Sequence, residues 1–247
     1  NGAIASKNLS MQLFYHPEIA AEAKEATFPK DESKHIVKVL RKRTGDVLDI
    51  TNGAGNFFKA EIIVASPSNC TVKILEVTSE QPLPYHLHLA VAPTKLNDRF
   101  ELFLEKATEI GISEISPIIC DHSERKVIKE ERYERIIQSA MKQSLKAHIP
   151  KMNEAQSFCD FLEATKGFKG DRFIAHCEET NRFSLKQKLQ PKRDVLILIG
   201  PEGDFSPSEI EQAIQAGFSP VMLGESRLRT ETAAIVATHS VAFVNEV

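Results

Sequence analysis

Five consecutive apolar residues, Val195–Ile199 (VLILI), constrain the fold of this chain more than any other stretch. A strand with one solvated face alternates apolar and polar side chains, whereas an unbroken apolar strand needs both faces covered, as in a parallel sheet flanked by helices. The run leads directly into Gly200-Pro201-Glu202-Gly203 and then into a helix start. This order is typical of an α/β sheet that binds a ligand at the tip of a buried strand.

From Tyr85 onward the chain alternates between strand and helix patterns. The predicted strands are HLHLAVAPT, EISPII, RFIAHC, VLILIG and PVMLG, and the predicted helices are DRFELFLEKATEIG, EERYERIIQSAMKQSLKA, PSEIEQAIQAGF and RTETAAIVATHSVAFV. Such alternation indicates an α/β domain. Ser206, Pro207 and Glu209 give the third helix a capping-box start.

Residues 11–81 have a different rhythm. Short β-branched runs broken by Asn52-Gly53 and by the cluster SPSN predict a small antiparallel sheet or barrel, preceded by one short helix in DESKHIVKVLRKRTGD. We therefore divide the chain into an extension or tag (1–10), a β-barrel domain (11–81) and an α/β domain (85–247), with Met11 as the expected natural start.

Composition narrows the class of protein without naming a function. The chain has 247 residues, 42% of them hydrophobic and 26% charged, and a net charge of -3. A slightly acidic total is compatible with RNA binding, because a local basic face is enough to bind phosphates. No apolar run reaches the roughly 20 residues of a membrane span, and no signal peptide is visible. We expect a cytoplasmic protein with no membrane association.

The four cysteines, Cys70, Cys120, Cys159 and Cys177, lack metal-binding spacing. Reduced thiols in a cytosolic protein are the expectation, with a zinc site or a disulfide as the alternative. No metal is therefore predicted.

The loop that begins at Gly200 lacks the phosphate-binding pattern G-x-x-x-x-G-K-[ST]. Its two acidic residues, Glu202 and Asp204, would repel a phosphate cluster. The glycines allow close approach of the backbone to a ligand, so the loop suits a neutral or cationic ligand. A tight structural turn is the alternative.

A second loop, GESRLRTETA from Gly224, lies between a strand and the last helix. Capping by Thr230, with Glu231 favoured near the positive helix end, would explain those two residues. It does not explain Arg227 and Arg229, whose charge is unfavourable there. Two arginines at a helix start indicate an anionic partner such as RNA phosphate.

The motifs IGPEGDFSPSEI, LGESRLRTETAA and EKATEIGISEISPI resemble those of the ribosomal small-subunit methyltransferase E family. MQLFYHPEI and HIVKVLRKRTGD resemble its N-terminal domain, so the likeness covers nearly all of residues 11–247. One departure is Asp204, where the family usually has a second glycine.

The resemblance implies an enzyme that methylates N3 of one uridine in 16S rRNA with S-adenosylmethionine. It implies an α/β catalytic domain of the SPOUT type, whose C-terminal segment forms a trefoil knot, and an N-terminal PUA-like RNA-binding β-barrel. It also implies a homodimer formed through the knotted domain, acting on 16S rRNA of the small ribosomal subunit.

The resemblance implies the cofactor-binding residues, the chemistry of methyl transfer indicates the catalytic residues, and the basic segments indicate the RNA-binding residues. Glu231 is the expected general base, and Arg229 is expected to stabilise developing negative charge. The predicted cofactor-binding residues are Ala175, His176, Cys177, Glu178, Leu198, Ile199, Gly200, Glu202, Gly203, Met222, Leu223, Gly224, Leu228, Thr232 and Ala233. The predicted RNA-binding residues are Lys34, His35, Lys38, Arg41, Arg43, Lys95, Arg99, Arg125, Gln143 and Arg227.

Several alternatives stay open at this point. The basic segments are equally compatible with solvated surface, and His176 with a hydrogen-bonded core residue. The protein could instead be a SPOUT methyltransferase of tRNA or 23S rRNA, or a non-catalytic RNA-binding assembly protein.

Overall fold

The computed structural model describes residues 12–176 and 183–246. Within these residues the chain divides into two compact units, one made of 12–82 and 141–149 and the other of 83–140 and 150–246. The predicted extension, 1–10, lies outside the described residues, as does Met11. None of the helices in the described part is both long and apolar enough to cross a membrane.

The first unit is built on a five-stranded sheet with the strand order β1-β3-β4-β5-β2. Strands β3, β4, β5 and β2 pair antiparallel, and β1 pairs parallel to β3. Its elements are β1 Leu13–Tyr15, β2 Glu25–Thr27, α1 Lys30–Lys34, a π-helical turn His35–Val39, β3 Val47–Thr51, β4 Asn56–Val64 and β5 Thr71–Ser79.

The core of the first unit forms where alternate strand residues meet the helical segment. Ile36, Ile50, Phe58 and Ile62 are fully buried. The predicted short helix is confirmed as one continuous helical segment, in which α1 passes into the π-helical turn, where the Leu40 N–H donates to the His35 carbonyl at 2.9 Å.

Residues 141–149 complete the first unit. The Gly55 N–H donates to the Ala147 carbonyl at 2.9 Å, and the Ala147 N–H donates to Glu80 at 2.6 Å. Ala147 is fully buried beside Leu13 and Phe57. The helix that begins at Glu130 ends at Gln143, so the predicted helix EERYERIIQSAMKQSLKA is too long at its C-terminus.

The second unit contains a sheet in which every pairing is parallel, with the strand order β11-β13-β10-β12-β6-β7-β8 and β9 paired with β7. Its elements are β6 Leu87–Val91, α2 Asn97–Ile110, β7 Glu114–Ile119, α3 Glu130–Gln143, β8 Lys151–Met152, β9 Gln156–Ser157, α4 Phe158–Ala164, β10 Asp171–Ala175, β11 Phe183–Ser184, α5 Leu185–Lys188, β12 Val195–Ile199, α6 Pro207–Gln215, β13 Ser219–Met222 and α7 Thr230–Asn245. The last three residues of α3 belong to the first unit. The predicted α/β alternation is confirmed, although the short elements α4, α5, β8, β9 and β11 were missed.

Strand β12 is covered on both faces, as its apolar composition predicted. It lies between β10 and β6, and its five residues are at most 2% exposed. Leu196 and Leu198 pack in one cluster with Phe161, Phe205 and Ile210, which belong to α4, α6 or the loop before α6. Helix α7 packs against β6 and β12. Each fully buried leucine or isoleucine contributes about 1.5–3 kcal/mol of transfer free energy.

Strand register brings three loops to one edge of this sheet. Ala175 at the end of β10 lies opposite Ile199 of β12 on one side and Val221 of β13 on the other. Because parallel strands share a carboxyl edge, the loops that follow these strands begin at the same level. The α/β class of the second unit is confirmed; the knotted path of the C-terminal segment stays a prediction.

Candidate functional site

A cavity of about 700 Å³ lies in the second unit at the carboxyl ends of β10, β12 and β13. Its walls come from the tips of these strands, the turn after β12, the loop after β13 and the first turn of α7. Its lining residues are Ala175, His176, Ile199, Gly200, Pro201, Glu202, Asp204, Val221, Met222, Leu223, Gly224, Glu225, Ser226, Arg227, Leu228, Arg229, Thr230 and Ala233.

A side chain at Gly200 would crowd the turn after β12, and the neighbouring atoms would have to shift by a few tenths of an ångström. A Cβ atom there would lie 3.1 Å from two ring carbons of Phe205. The Asp204 N–H donates to the Pro201 carbonyl at 2.9 Å, which closes the turn. Ser206 then caps α6 through a complete capping box with Glu209, as predicted. This wall of the cavity is therefore largely main chain held in a fixed shape.

The loop after β13 has open space at Gly224, one of the residues that line the cavity. A Cβ atom added at Gly224 would have no heavy atom within 4 Å. The alternative in which Thr230 caps α7 is wrong, because Arg229 is the N-cap residue and makes no side-chain capping bond. The Thr230 hydroxyl instead donates to the Gly200 carbonyl at 2.9 Å, which ties the start of α7 to the tip of β12.

Glu231 is next to the cavity in sequence but is not one of its lining residues. Its side chain is buried, and one carboxylate oxygen lies 3.9 Å from Nε of Arg99 on α2. The other oxygen, Oε2, is buried and has no hydrogen-bond partner among the described residues. One oxygen of the Glu231 carboxylate thus faces a cation, and the other can still accept a hydrogen bond.

Most of the predicted cofactor-binding residues meet at this cavity. Those that line it are Ala175, His176, Ile199, Gly200, Glu202, Met222, Leu223, Gly224, Leu228 and Ala233. Leu198 is buried in β12, Thr232 is exposed on α7, and Gly203 lies beside His122. Cys177 and Glu178 lie outside the described residues.

Sequence reasoning left out six lining residues. They are Pro201, Asp204, Val221, Glu225, Ser226 and Thr230. Each lies within or next to one of the two predicted loops. A prediction that every residue of these two loops lines the site would have included them. Arg227 and Arg229, which were assigned to RNA and catalysis, also line the cavity.

The predicted RNA-binding residues fall into two sets, one in each unit. In the first unit, the exposed residues are Lys34, His35, Lys38, Arg41, Arg43 and Gln143. In the second unit, Lys95 is exposed and pairs with Glu124 at 2.8 Å, and Arg99 faces Glu231. The Arg125 guanidinium donates to two backbone carbonyls, those of Thr94 and Lys95.

The cysteines show no pairing where they are described. Cys70, Cys120 and Cys159 are free thiols, and Cys177 lies outside the described residues. Burial raises the pKa of the Cys70 and Cys120 thiols. Over residues 12–176 and 183–246, no group of three or more His, Cys, Asp or Glu side chains could hold a metal ion.

Comparison with known proteins places both units in one family. The RNA methyltransferase domain family matches residues 81–242, and the RNA methyltransferase PUA domain family matches residues 28–75. Ribosomal RNA small subunit methyltransferase E of Buchnera aphidicola is 32% identical over 218 residues, covering 85% of each chain.

Two solved structures have the same fold. One is a probable rRNA methyltransferase from Porphyromonas gingivalis, with 45% identity, a TM-score of 0.86 and coverage of 95% of this chain and 98% of that one. The other is ribosomal RNA small subunit methyltransferase E from Neisseria gonorrhoeae bound to S-adenosylmethionine, with 26% identity, a TM-score of 0.81 and coverage of 96% and 98%.

An α/β sheet with a cavity at its strand tips, preceded by a PUA-like unit, defines an RNA methyltransferase fold. This chain belongs to the ribosomal RNA small subunit methyltransferase E family.

Proposed function

We propose that this protein transfers a methyl group from S-adenosylmethionine to N3 of one uridine in 16S rRNA. The observation that carries the proposal is the cavity at the tips of β10, β12 and β13, which ten of the predicted cofactor-binding residues line. Family membership and the S-adenosylmethionine bound by the Neisseria relative support the same ligand class.

The residues present fit this cofactor. A volume of about 700 Å³ lies within the roughly 300–1,000 Å³ usual for small-molecule sites. Arg227, Arg229, Asp204 and Glu225 line the cavity, so a ligand with both an ammonium and a carboxylate group finds opposite charges. The cofactor would supply the methyl group, carried on a sulfonium.

Two arginines are suited to the substrate side of the reaction. Uridine N3 is protonated at neutral pH, so methylation requires loss of that proton and leaves negative charge on the uracil while the bond forms. Arg229, and Arg227 beside it, would stabilise this charge from the cavity wall. Holding the reacting atoms at attack distance supplies a further part of the rate enhancement.

Glu231 is the proposed proton acceptor. Its unpartnered Oε2 supports this role, because a buried carboxylate oxygen without a donor is costly unless a ligand uses it. Arg99, 3.9 Å from Oε1, gives this carboxylate a cationic neighbour. Since Glu231 does not line the cavity, the role requires the substrate base to approach from the α2 side or a water molecule to relay the proton.

RNA binding and assembly complete the proposal. The exposed basic residues of the first unit, Lys34 to Arg43, would bind rRNA phosphates, and the protein would act in the cytoplasm. The homodimer that the family resemblance implies would cover the outer face of α7, where Phe243 is 61% exposed. Light scattering should give twice the monomer mass; a monomer would contradict the homodimer.

Cofactor binding is tested by filling the cavity. Gly224→Val places a side chain where nothing lies within 4 Å, so the protein should fold normally but bind S-adenosylhomocysteine at least about tenfold more weakly. Gly167→Val is the matched control, because that glycine has the same free space outside the cavity. Calorimetry that finds no binding to the unsubstituted protein would overturn the proposed cofactor.

Methyl transfer is tested with labelled S-adenosylmethionine and rRNA or small subunits that lack the modification. Mass mapping should locate one methyl group on uridine N3 of 16S rRNA. Glu231→Gln, which is nearly isosteric, should lower the turnover rate by about 10²–10⁴-fold with cofactor affinity retained. Methylation of tRNA or 23S rRNA instead, or none, would replace the proposal with one of its alternatives.

A further inference from the structure

Glu202 lines the cavity, but its carboxylate is already engaged. Its Oε1 accepts a hydrogen bond from the backbone N–H of Lys95 at 2.9 Å. Lys95 lies in the connection between β6 and α2, 107 residues away in sequence. The carboxylate therefore joins the turn after β12 to the main chain of a different loop.

Arg125 binds the backbone carbonyl groups of the same loop. The guanidinium donates through Nε to the Thr94 carbonyl at 3.1 Å and through Nη2 to the Lys95 carbonyl at 2.8 Å. Both backbone polar groups of Lys95 are thus bound by charged side chains from two other loops. The Lys95 ammonium, which pairs with Glu124 at 2.8 Å, stays largely exposed.

The loop that carries Arg125 also forms hydrogen bonds with the turn after β12. Nδ1 of His122 lies 3.0 Å from the carbonyl oxygens of Gly203 and Asp204, so a ring N–H there donates to both. The Asp121 carboxylate accepts from the Ser206 hydroxyl at 2.6 Å. These hydrogen bonds join three segments, 94–95, 121–125 and 202–206.

From this geometry we infer that Glu202 is a positioning residue of the cofactor site, which holds the turn after β12 through the Lys95 main chain and is not the counter-charge of the ligand. The inference rests on the proposed function for the identity of the ligand. A hydrogen bond to an ionised acceptor is stronger than one between neutral groups, but a neutral amide oxygen has the same reach. What matters in this role is an acceptor atom at that position.

The inference predicts different effects for Glu202→Gln and Glu202→Ala. If Glu202 were the counter-charge of the ligand, both substitutions would weaken cofactor binding to a similar extent. Glu202→Gln keeps an oxygen that can accept from the Lys95 N–H and removes the charge, whereas Glu202→Ala removes both. With S-adenosylhomocysteine as the probe in calorimetry, Glu202→Ala should raise Kd about tenfold or more, and Glu202→Gln should stay within about threefold of the unsubstituted protein. Equal weakening by both, or no effect of either, would overturn the inference.

A second measurement needs no cofactor. Hydrogen exchange of the Lys95 amide in the free protein should be about tenfold faster in Glu202→Ala and nearly unchanged in Glu202→Gln, because only the alanine leaves that N–H without its acceptor. Arg125→Ala should accelerate exchange in the same loop. Unchanged exchange in Glu202→Ala would overturn the inference even if cofactor binding fell.

The two measurements also distinguish this inference from the proposed function. If the unsubstituted protein binds neither S-adenosylhomocysteine nor S-adenosylmethionine, the proposed function fails, while the exchange pattern still decides whether Glu202 holds the Lys95 loop.

Discussion

At the scale of single residues, Asp204 shows how a departure from the family pattern is accommodated. Its φ of 63° lies in the left-handed region, where glycine is favoured and where Asp and Asn are the L-residues most readily accepted. Its carboxylate accepts from the Phe205 N–H at 2.8 Å. The turn therefore keeps the glycine-type backbone although the second glycine is absent.

We predict that Asp204→Gly is more stable than Asp204→Ala by about 1 kcal/mol. Both variants lose the same side-chain hydrogen bond, but only alanine keeps a Cβ in the left-handed region. Urea unfolding of the two variants measures the difference. Equal stabilities would mean that the turn relaxes out of this conformation.

At the scale of elements, ionisable side chains cluster at β6 and β7, where His88 is buried and its ionisable partners are partly exposed. Nε2 of His88 lies 2.8 Å from the Ser116 hydroxyl, and burial lowers the pKa of His88 to about 4. A hydrogen bond from His86 holds the pKa of Glu114 well below its usual range, and the same bond raises the pKa of His86. Lys151 on β8 also pairs with Glu114, at 3.3 Å.

We predict that acidification from pH 6.5 to about 4.5 destabilises the second unit through His88. The unfolded chain binds a proton near pH 6.5 while folded His88 does not, so stability falls by up to about 1.4 kcal/mol per pH unit. His86, with a raised pKa, contributes stability that is complete below pH 6.5 and lost at higher pH. Glu114, with a lowered pKa, contributes stability that is lost only below about pH 4.5.

Urea unfolding at several pH values, with His88→Gln as the comparison, measures this contribution. The glutamine variant should show a smaller decrease in stability than the unsubstituted protein between pH 6.5 and 4.5. Parallel pH profiles would show that His88 is not the group responsible.

At the scale of the whole molecule, the first unit is assembled from two separate segments. Residues 141–149 supply buried Ala147, whose carbonyl and N–H both bond within 12–82. A domain cut made at the end of β5 would remove this part of the core.

We predict that a fragment of residues 1–82 is less stable than the same fragment joined to 141–149 by a flexible linker, by about 2 kcal/mol or more. The reason is the loss of several hydrogen bonds, each worth about 0.5–1.5 kcal/mol, together with exposure of Leu13 and Phe57. Urea unfolding followed by circular dichroism compares the two. Equal stability would show that 12–82 is self-sufficient.

The sequence alone determined what depends on near neighbours in the chain. Unbroken apolar character in VLILI predicted a doubly covered strand, and S-x-x-E predicted the capping box at Ser206, because periodicity and helix caps act over a few residues. Only the tertiary structure decided that Glu202 bonds Lys95, that Glu231 faces Arg99 beside the cavity, and that Ala147 completes the first unit. These contacts join positions far apart in the chain, and strand order and register, which no local pattern encodes, bring them together.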